Sequence, residues 1–162
     1  MTPQSSEEKA VPLRVESDAD YVLEEQIGFR LRKAHQRASE IFAGVMAGHD
    51  VTPTQFAALH KIAELEPVSQ NALGRATAMD PATISGVIRR LKARGFVSPA
   101  RNPGDARQVR LSLTADGRVA LRRMTGDAAE VSRRTLQGLN ADEAAVLLSL
   151  LDRLGAGPED QA

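Results

Sequence analysis

Apolar side chains recur along this chain at helical spacing over most of its length and at strand spacing in one short region. From Tyr21 to about Ala47 the series Ile27, Leu31, Ala34, Ala38, Ile41, Phe42 and Val45 keeps the intervals of three and four that mark one face of a long helix. Thr52-Pro53-Thr54-Gln55 predicts a new helix start, with a threonine cap, proline at the first helical position and glutamine placed to complete a capping box. This second helix should run to about Leu65 with Phe56, Leu59, Ile62 and Ala63 inward, and Pro67 should stop it. Ser69 then caps a short helix reaching Ala78, with Leu73 and Ala76 facing the core. After the tight connection Thr77 to Asp80, Asp80-Pro81 opens a helix whose Ile84, Val87, Ile88 and Leu91 share one face and whose end is marked by Gly95.

Beyond Gly95 the pattern changes. Phe96 to Ala100 and Gln108 to Leu113 are predicted to pair as strands around Arg101-Asn-Pro-Gly-Asp-Ala-Arg107, where Asn, Pro, Gly and Asp supply turn chemistry. Thr114 caps a helix from Ala115 to about Gly138, roughly 35 Å long at helical rise. Its Val119, Met124, Ala128, Val131 and Leu136 are expected to project from the rest with nothing of their own to cover them. Asn140 and Glu143 form a second capping-box signal, followed by the dense aliphatic stripe Val146, Leu147, Leu150, Leu151 and Leu154.

Two short helices joined by so few residues, the second basic on its outer face, form a helix-turn-helix unit, and the cationic hairpin is its wing. The outer face of the Asp80 helix presents Thr83, Ser85, Gly86, Arg89, Arg90 and Lys92. Short hydrogen-bonding groups near the start of such a helix suit base edges in a major groove, and longer cations further on suit phosphates. On that basis Thr83, Ser85 and Arg89 are candidates for groove contact, Arg90 and Lys92 for phosphate, and Arg101 and Arg107 for the wing. A narrow minor groove attracts the guanidinium group that Arg107 would bring to it. The alternative for Arg107 is an ion pair with Asp105 that holds the hairpin, and for the helix as a whole a solvated basic face.

These pieces resemble the MarR family of winged helix-turn-helix regulators. The resemblance is carried by the capped helix ending Arg90-Leu91-Lys-Ala-Arg94-Gly95-Phe-Val97, by Asp105-Ala-Arg107 in the wing, and by Leu113-Thr114-Ala-Asp-Gly117. It covers roughly residues 54 to 118, and the surrounding helix pattern agrees with it. It implies a homodimer that binds palindromic double-stranded DNA, usually as a repressor, and in many members a small aromatic or phenolic anion that releases the DNA. The expected fold class is mainly α with a small β-hairpin wing, a winged helix-turn-helix plus a helical dimerisation region. The expected divisions are a flexible acidic tail at 1–19, an N-terminal dimerisation helix at 20–50, the DNA-binding domain at 51–113, C-terminal dimerisation helices at 114–155 and a tail at 156–162.

Charge at first argues the other way, since 21 Lys and Arg are balanced by 21 Asp and Glu. Its distribution restores the reading. Residues 69 to 110 hold eight Arg or Lys against Asp80 and Asp105, a net of +6, whereas the acidic excess lies in residues 1 to 25 and 138 to 162. A patch of that size draws a polyanion, and a dimer doubles it. The chain has no cysteine, which removes disulfides, thiol catalysis and Cys-type zinc sites. With no long apolar run and a polar start, neither a signal peptide nor a membrane span is expected, and the location is read as cytoplasmic.

Coverage of apolar area makes the first helix and the last two the expected dimer interface, centred on Val146, Leu147, Leu150, Leu151 and Leu154. The alternative is that this stripe folds back on the first helix of its own chain. For an effector, the resemblance implies a cleft between the first two helices and the DNA-binding lobe. Arg32, His35, Phe56 and His60 are the candidates there, with His35 expected to point toward packed surface. Two imidazoles, a ring and a guanidinium suit a hydroxybenzoate or hydroxynicotinate, although histidines simply hydrogen-bonded at helix contacts fit the same pattern. His35, His49, His60 and Asp50 lack the spacing of a zinc site, so no metal or cofactor is expected. No nucleophile elbow, phosphate loop or dinucleotide motif is present, and no enzyme activity is expected. The competing function is a winged-helix module for protein contact without its own operator.

Overall fold

The computed structural model describes residues 21–101 and 109–156, with the side chain of Arg101 left out. The elements are α1 (Ile27–Val45), α2 (Pro53–Leu65), β1 (Val68–Ser69), α3 (Gln70–Ala76), α4 (Pro81–Ala93), β2 (Val97–Arg101), β3 (Val109–Leu113), α5 (Ala115–Thr135) and α6 (Ala141–Gly155). Short 3-10 turns at Leu23–Glu25 and Ala47–His49 flank α1. The first helix therefore begins six residues later than its apolar pattern suggested. Both predicted tails lie outside the described residues, apart from Ala156.

Contacts divide the chain after His35. In the first unit the Gln26 amide donates to the Val22 carbonyl at 3.1 Å, and Arg30 Nε donates to the Glu24 carbonyl at 3.1 Å. Ile27 and Leu31 are exposed there.

The second unit carries the core. Phe42 of α1 and Met46 just after it pack with Leu59 and Ile62 of α2, Leu73 of α3, the Ile84, Val87, Ile88 and Leu91 face of α4, sheet residues Val97, Leu111 and Leu113, and Leu121 and Met124 of α5. Burying side chains of this kind stabilises by ~1.5–3 kcal/mol each relative to exposure. The sheet has three antiparallel strands in the order β1-β3-β2, with β3 pairing Val97↔Leu113 through Arg101↔Val109 on one side and Val68↔Leu111 on the other. β1 was not anticipated. Two residues are too few for a period, and their pairing partner lies more than forty positions away.

Local signals are realised as hydrogen bonds. Thr52 and Gln55 form a reciprocal capping box, and so do Asn140 and Glu143. Ser69 accepts from the Ala72 amide and Thr114 from the Gly117 amide. Gly95 takes φ +71, its N–H donating to Lys92 at 2.9 Å while Phe96 N–H donates to Leu91 at 3.0 Å, which closes α4 with a Schellman motif.

Three expectations about faces are corrected. Ala76 is exposed, and Leu73 with Gly74 forms the buried part of α3, because α3 meets α4 at Gly74, against Ile84 and the Met79 carbonyl, and the helix ends at Ala76. Met124 is 1 % exposed and Ala128 and Val131 pack partly against the core, so the first half of α5 is covered by the lobe it was expected to leave. His35 is exposed, not directed at packed surface.

Candidate nucleic-acid interface

The reading face begins with how α4 is started. Asp80 Oδ1 accepts from the backbone N–H groups of Ala82 and Thr83, both at 2.9 Å, and Oδ2 accepts from the Thr83 hydroxyl. The ionised carboxylate is what these donors favour, so Asp80 titrates below the ordinary aspartate range, with the Thr83 hydroxyl as the largest cause and its amide next. Thr83 is therefore committed to the cap. While it donates to Asp80, its hydroxyl can meet a base only as an acceptor.

With the apolar face of α4 buried, helical geometry sets the rest at 100° per residue. Arg89 lies opposite the buried stripe, Ser85 and Lys92 occupy one flank, and Thr83, Arg90 and Arg94 occupy the other. Ser85, Arg89, Arg90 and Lys92 are all exposed. Arg90 does not simply share the outward face, because it lines a cavity of about 560 Å³ together with Met46, Asp50, Thr52, Gln55 and Arg94. Arg107 and the rest of 102–108 lie outside the described residues, as does the Arg101 side chain.

The basic patch is not uniformly available. Arg94 donates through Nη2 to the His49 carbonyl at 3.1 Å and through Nη1 to the Asp50 carbonyl, with its guanidinium 4.6 Å from the Phe96 ring centroid. Arg110 is half-buried and donates to the Pro67 carbonyl at 3.2 Å. Two of the eight cations counted from sequence thus hold the fold. The exposed Asn71 and Arg75 of α3 were left without a role by sequence reasoning, yet they border a 310 Å³ cleft with Pro81 and Ile84 of α4. The first helix of such a unit crosses the phosphate backbone, and that rule was the signal available for them.

The wing is anchored at its root. Glu66 accepts from the Leu113 amide at 2.7 Å and pairs with Arg118 of α5, so one carboxylate ties the end of α2 to β3 and α5. Gly117, buried in the first turn of α5, brings its Cα against the Phe96 peptide, where an added Cβ would lie 2.1 Å from the Phe96 oxygen. This contact is the physical content of the Leu-Thr-x-x-Gly pattern.

A MarR family profile matches residues 49–108. The chain is also 40% identical over 134 residues to the HTH-type transcriptional repressor NicR of Pseudomonas putida, which covers 83% of this chain and 85% of NicR. The chain belongs to the MarR family. Two solved structures agree with that placement. A probable transcriptional regulator from Pseudomonas aeruginosa is 44% identical with a TM-score of 0.79, covering 82% of this chain and 99% of that one. Bordetella bronchiseptica BpsR, described in connection with regulation of its DNA binding by 6-hydroxynicotinic acid, is 35% identical with a TM-score of 0.80, covering 85% of this chain and 98% of that one.

As a MarR-family protein this chain is a DNA-binding transcriptional regulator and not an enzyme. Among the described residues no helix is long and apolar enough to cross a membrane. The four effector candidates are placed as follows. Arg32 is exposed with its guanidinium 5.2 Å from the Phe29 ring centroid, and His35 is exposed. The Phe56 ring lies 6.2 Å from Phe42 and 6.1 Å from His60, and His60 Nδ1 donates to Glu64 at 3.0 Å. None of the four lines the 560 Å³ cavity.

Proposed function

We propose that this MarR-family regulator is a homodimeric repressor whose two α4 helices grip a palindromic operator, and that a hydroxylated aromatic or heteroaromatic acid releases it. The reading rests on one observation above others. Ser85, Arg89 and Lys92 stand exposed on the outward side of a capped helix, in a chain 40% identical to a repressor. Groups of this kind and order discriminate bases and bind phosphate.

The dimer is supported by α6, none of whose residues is buried. Val146, Leu150 and Leu154 are 58, 51 and 60 % exposed, and Leu147 and Leu151 lie on the same helix at 37 and 40 %. Covering the exposed half of five such side chains would supply roughly 4–7 kcal/mol per subunit before ordering costs. Among the described residues nothing covers the stripe fully, since each of the five side chains is at least 37 % exposed.

Hydroxynicotinate is favoured over hydroxybenzoate as the effector type because BpsR, at 35% identity, is described with 6-hydroxynicotinic acid. Phe56 and His60 on α2 remain proposed contacts, and Arg32 and His35 on α1 are proposed separately, each to be tested by itself. His60 would have to exchange Glu64 for the ligand.

The test uses a duplex selected by the wild-type protein from a random pool. Nanomolar binding with a steep inverse salt dependence is expected, followed by release on titration with 6-hydroxynicotinic acid but not with benzoate. Salt-insensitive association with a protein, and no selected duplex, would instead make the chain a winged-helix interaction module. Calorimetry of 6-hydroxynicotinic acid with wild type and His35→Ala then separates the contacts, and identical isotherms would clear His35.

A further inference from the structure

The connection between α1 and α2 receives bonds from two distant elements at adjacent residues. Arg94, the C-cap of the reading helix, holds the carbonyls of His49 and Asp50 in its guanidinium fork. The His49 side chain turns the other way, and its Nε2 donates to Oδ2 of Asp127 on α5 at 2.7 Å. Asp50 adopts φ 51, a left-handed conformation that aspartate tolerates, which leaves its carbonyl available to the fork. The reading helix is thus joined to the middle of α5 through the backbone and ring of one residue.

The position of Asp127 gives the link its meaning. The fully buried residues of α5 end at Met124, Ala128 and Val131 pack only partly against the core, and Asp127, 52 % exposed, lies where the cover of the helix thins. A bond at that point controls the angle at which α5 departs from the lobe that carries α4. In a two-fold dimer joined through its C-terminal helices, this angle sets the distance and rotation between the two reading helices, and so the separation of half-sites they fit.

We infer that Arg94, His49 and Asp127 are positioning residues that set the half-site spacing of the operator without touching DNA. The inference rests on the dimeric regulator proposed above. Arg94 would otherwise count as one more phosphate-binding cation, since it sits on the basic helix and before Gly95. Its stacking on Phe96 and its two carbonyl partners give it a different task. A fork of this shape is satisfied by guanidinium and not by an ammonium group, so lysine is not an equivalent.

The experiment compares wild type, Arg94→Lys, His49→Ala and Asp127→Ala on the duplex selected by wild type. Each is measured also on duplexes with one base pair added or removed at the centre. Wild type is expected to discriminate the selected spacing strongly. Each variant should bind the selected duplex about tenfold more weakly and lose most of its discrimination against the altered spacings. The slope of affinity against salt should stay at the wild-type value, because no phosphate contact is removed. The His49→Ala/Asp127→Ala double variant should behave like either single one.

Unchanged spacing discrimination in folded variants would overturn the inference. So would an Arg94→Lys protein that keeps full affinity and discrimination, since charge alone would then suffice. A shallower salt slope in His49→Ala or Asp127→Ala would also count against it. Urea midpoints identify a variant that has merely lost its fold, and Asp127→Ala, which removes the acceptor at an exposed site, carries the test in that case. Failure of wild type to select any duplex would strike the regulator reading itself and remove this inference with it.

Discussion

Gly117→Ala isolates one close contact from the ordinary preference of a helix for alanine. Gly117 is in the first turn of α5, and helix propensity alone predicts that alanine there stabilises by ~0.5–1 kcal/mol. The structure predicts the opposite sign. The new Cβ would lie 2.1 Å from the Phe96 oxygen and 3.0 Å from its carbonyl carbon, against 3.4 Å and beyond for ordinary contact. The obstacle is backbone on both sides, so relief requires α5 and the root of β2 to separate. Overpacking of this kind costs ~1–3 kcal/mol and occasionally more. Separation would also strain the Thr114 N–H to Phe96 bond at 3.0 Å and the Thr114 hydroxyl to Gly95 bond at 2.6 Å, each worth ~0.5–1.5 kcal/mol net. Against the small propensity gain, the net loss should be roughly 2–4 kcal/mol, a fall in Tm of about 5–15 °C for a chain of this size. Urea and thermal unfolding followed by circular dichroism at matched protein concentration measures it. Gly126→Ala in the same helix is the control, because nothing lies within 4 Å of its added Cβ and it should gain stability. A Gly117→Ala protein as stable as wild type would refute the reasoning.

Further outcomes follow from other parts of the structure. Arg89→Ala should weaken binding to the selected duplex by ~1–3 kcal/mol with little effect on unrelated sequences, whereas Lys92→Ala should weaken both and make the salt slope shallower; identical changes in the two variants would cancel the distinction. Leu150→Asp/Leu154→Asp should sediment at the 17.4 kDa chain mass where wild type sediments at twice that, and a dimeric variant would move the interface elsewhere. Asp80 has its folded pKa depressed by the Thr83 hydroxyl and the helix amides, so the stability it adds is present above its unfolded value of about 3.9 and is lost as pH falls through the lower folded value. Asp80→Ala should accordingly be less stable at neutral pH and lose less on acidification below about pH 4, as read by urea midpoints; parallel acid profiles would contradict this.

Sequence reading succeeded where a residue's partner is close in the chain. Thr52 and Gln55, Asp80 and Thr83, Gly95 and Lys92, Thr114 and Gly117, Asn140 and Glu143 are pairs three residues apart, and their hydrogen bonds follow from covalent geometry once a helix starts or stops. The buried stripe of α4 follows in the same way, because one apolar face of a helix must be covered. That logic also exposed Arg89 and Lys92, and with them the candidate interface.

It failed where the partner is distant. Arg94 and Arg110 read as free cations because their carbonyl acceptors lie more than forty residues upstream. Met124 read as uncovered because the core that receives it is assembled from every element before it. Hydrophobic periodicity states which face of α5 must be buried and carries no information on how far along its length the chain supplies the cover. The same limit holds for α6, whose apolar stripe is plain in the sequence. Only the folded arrangement reveals that none of the described residues covers it fully, since coverage is a property of all surfaces together and not of any one segment.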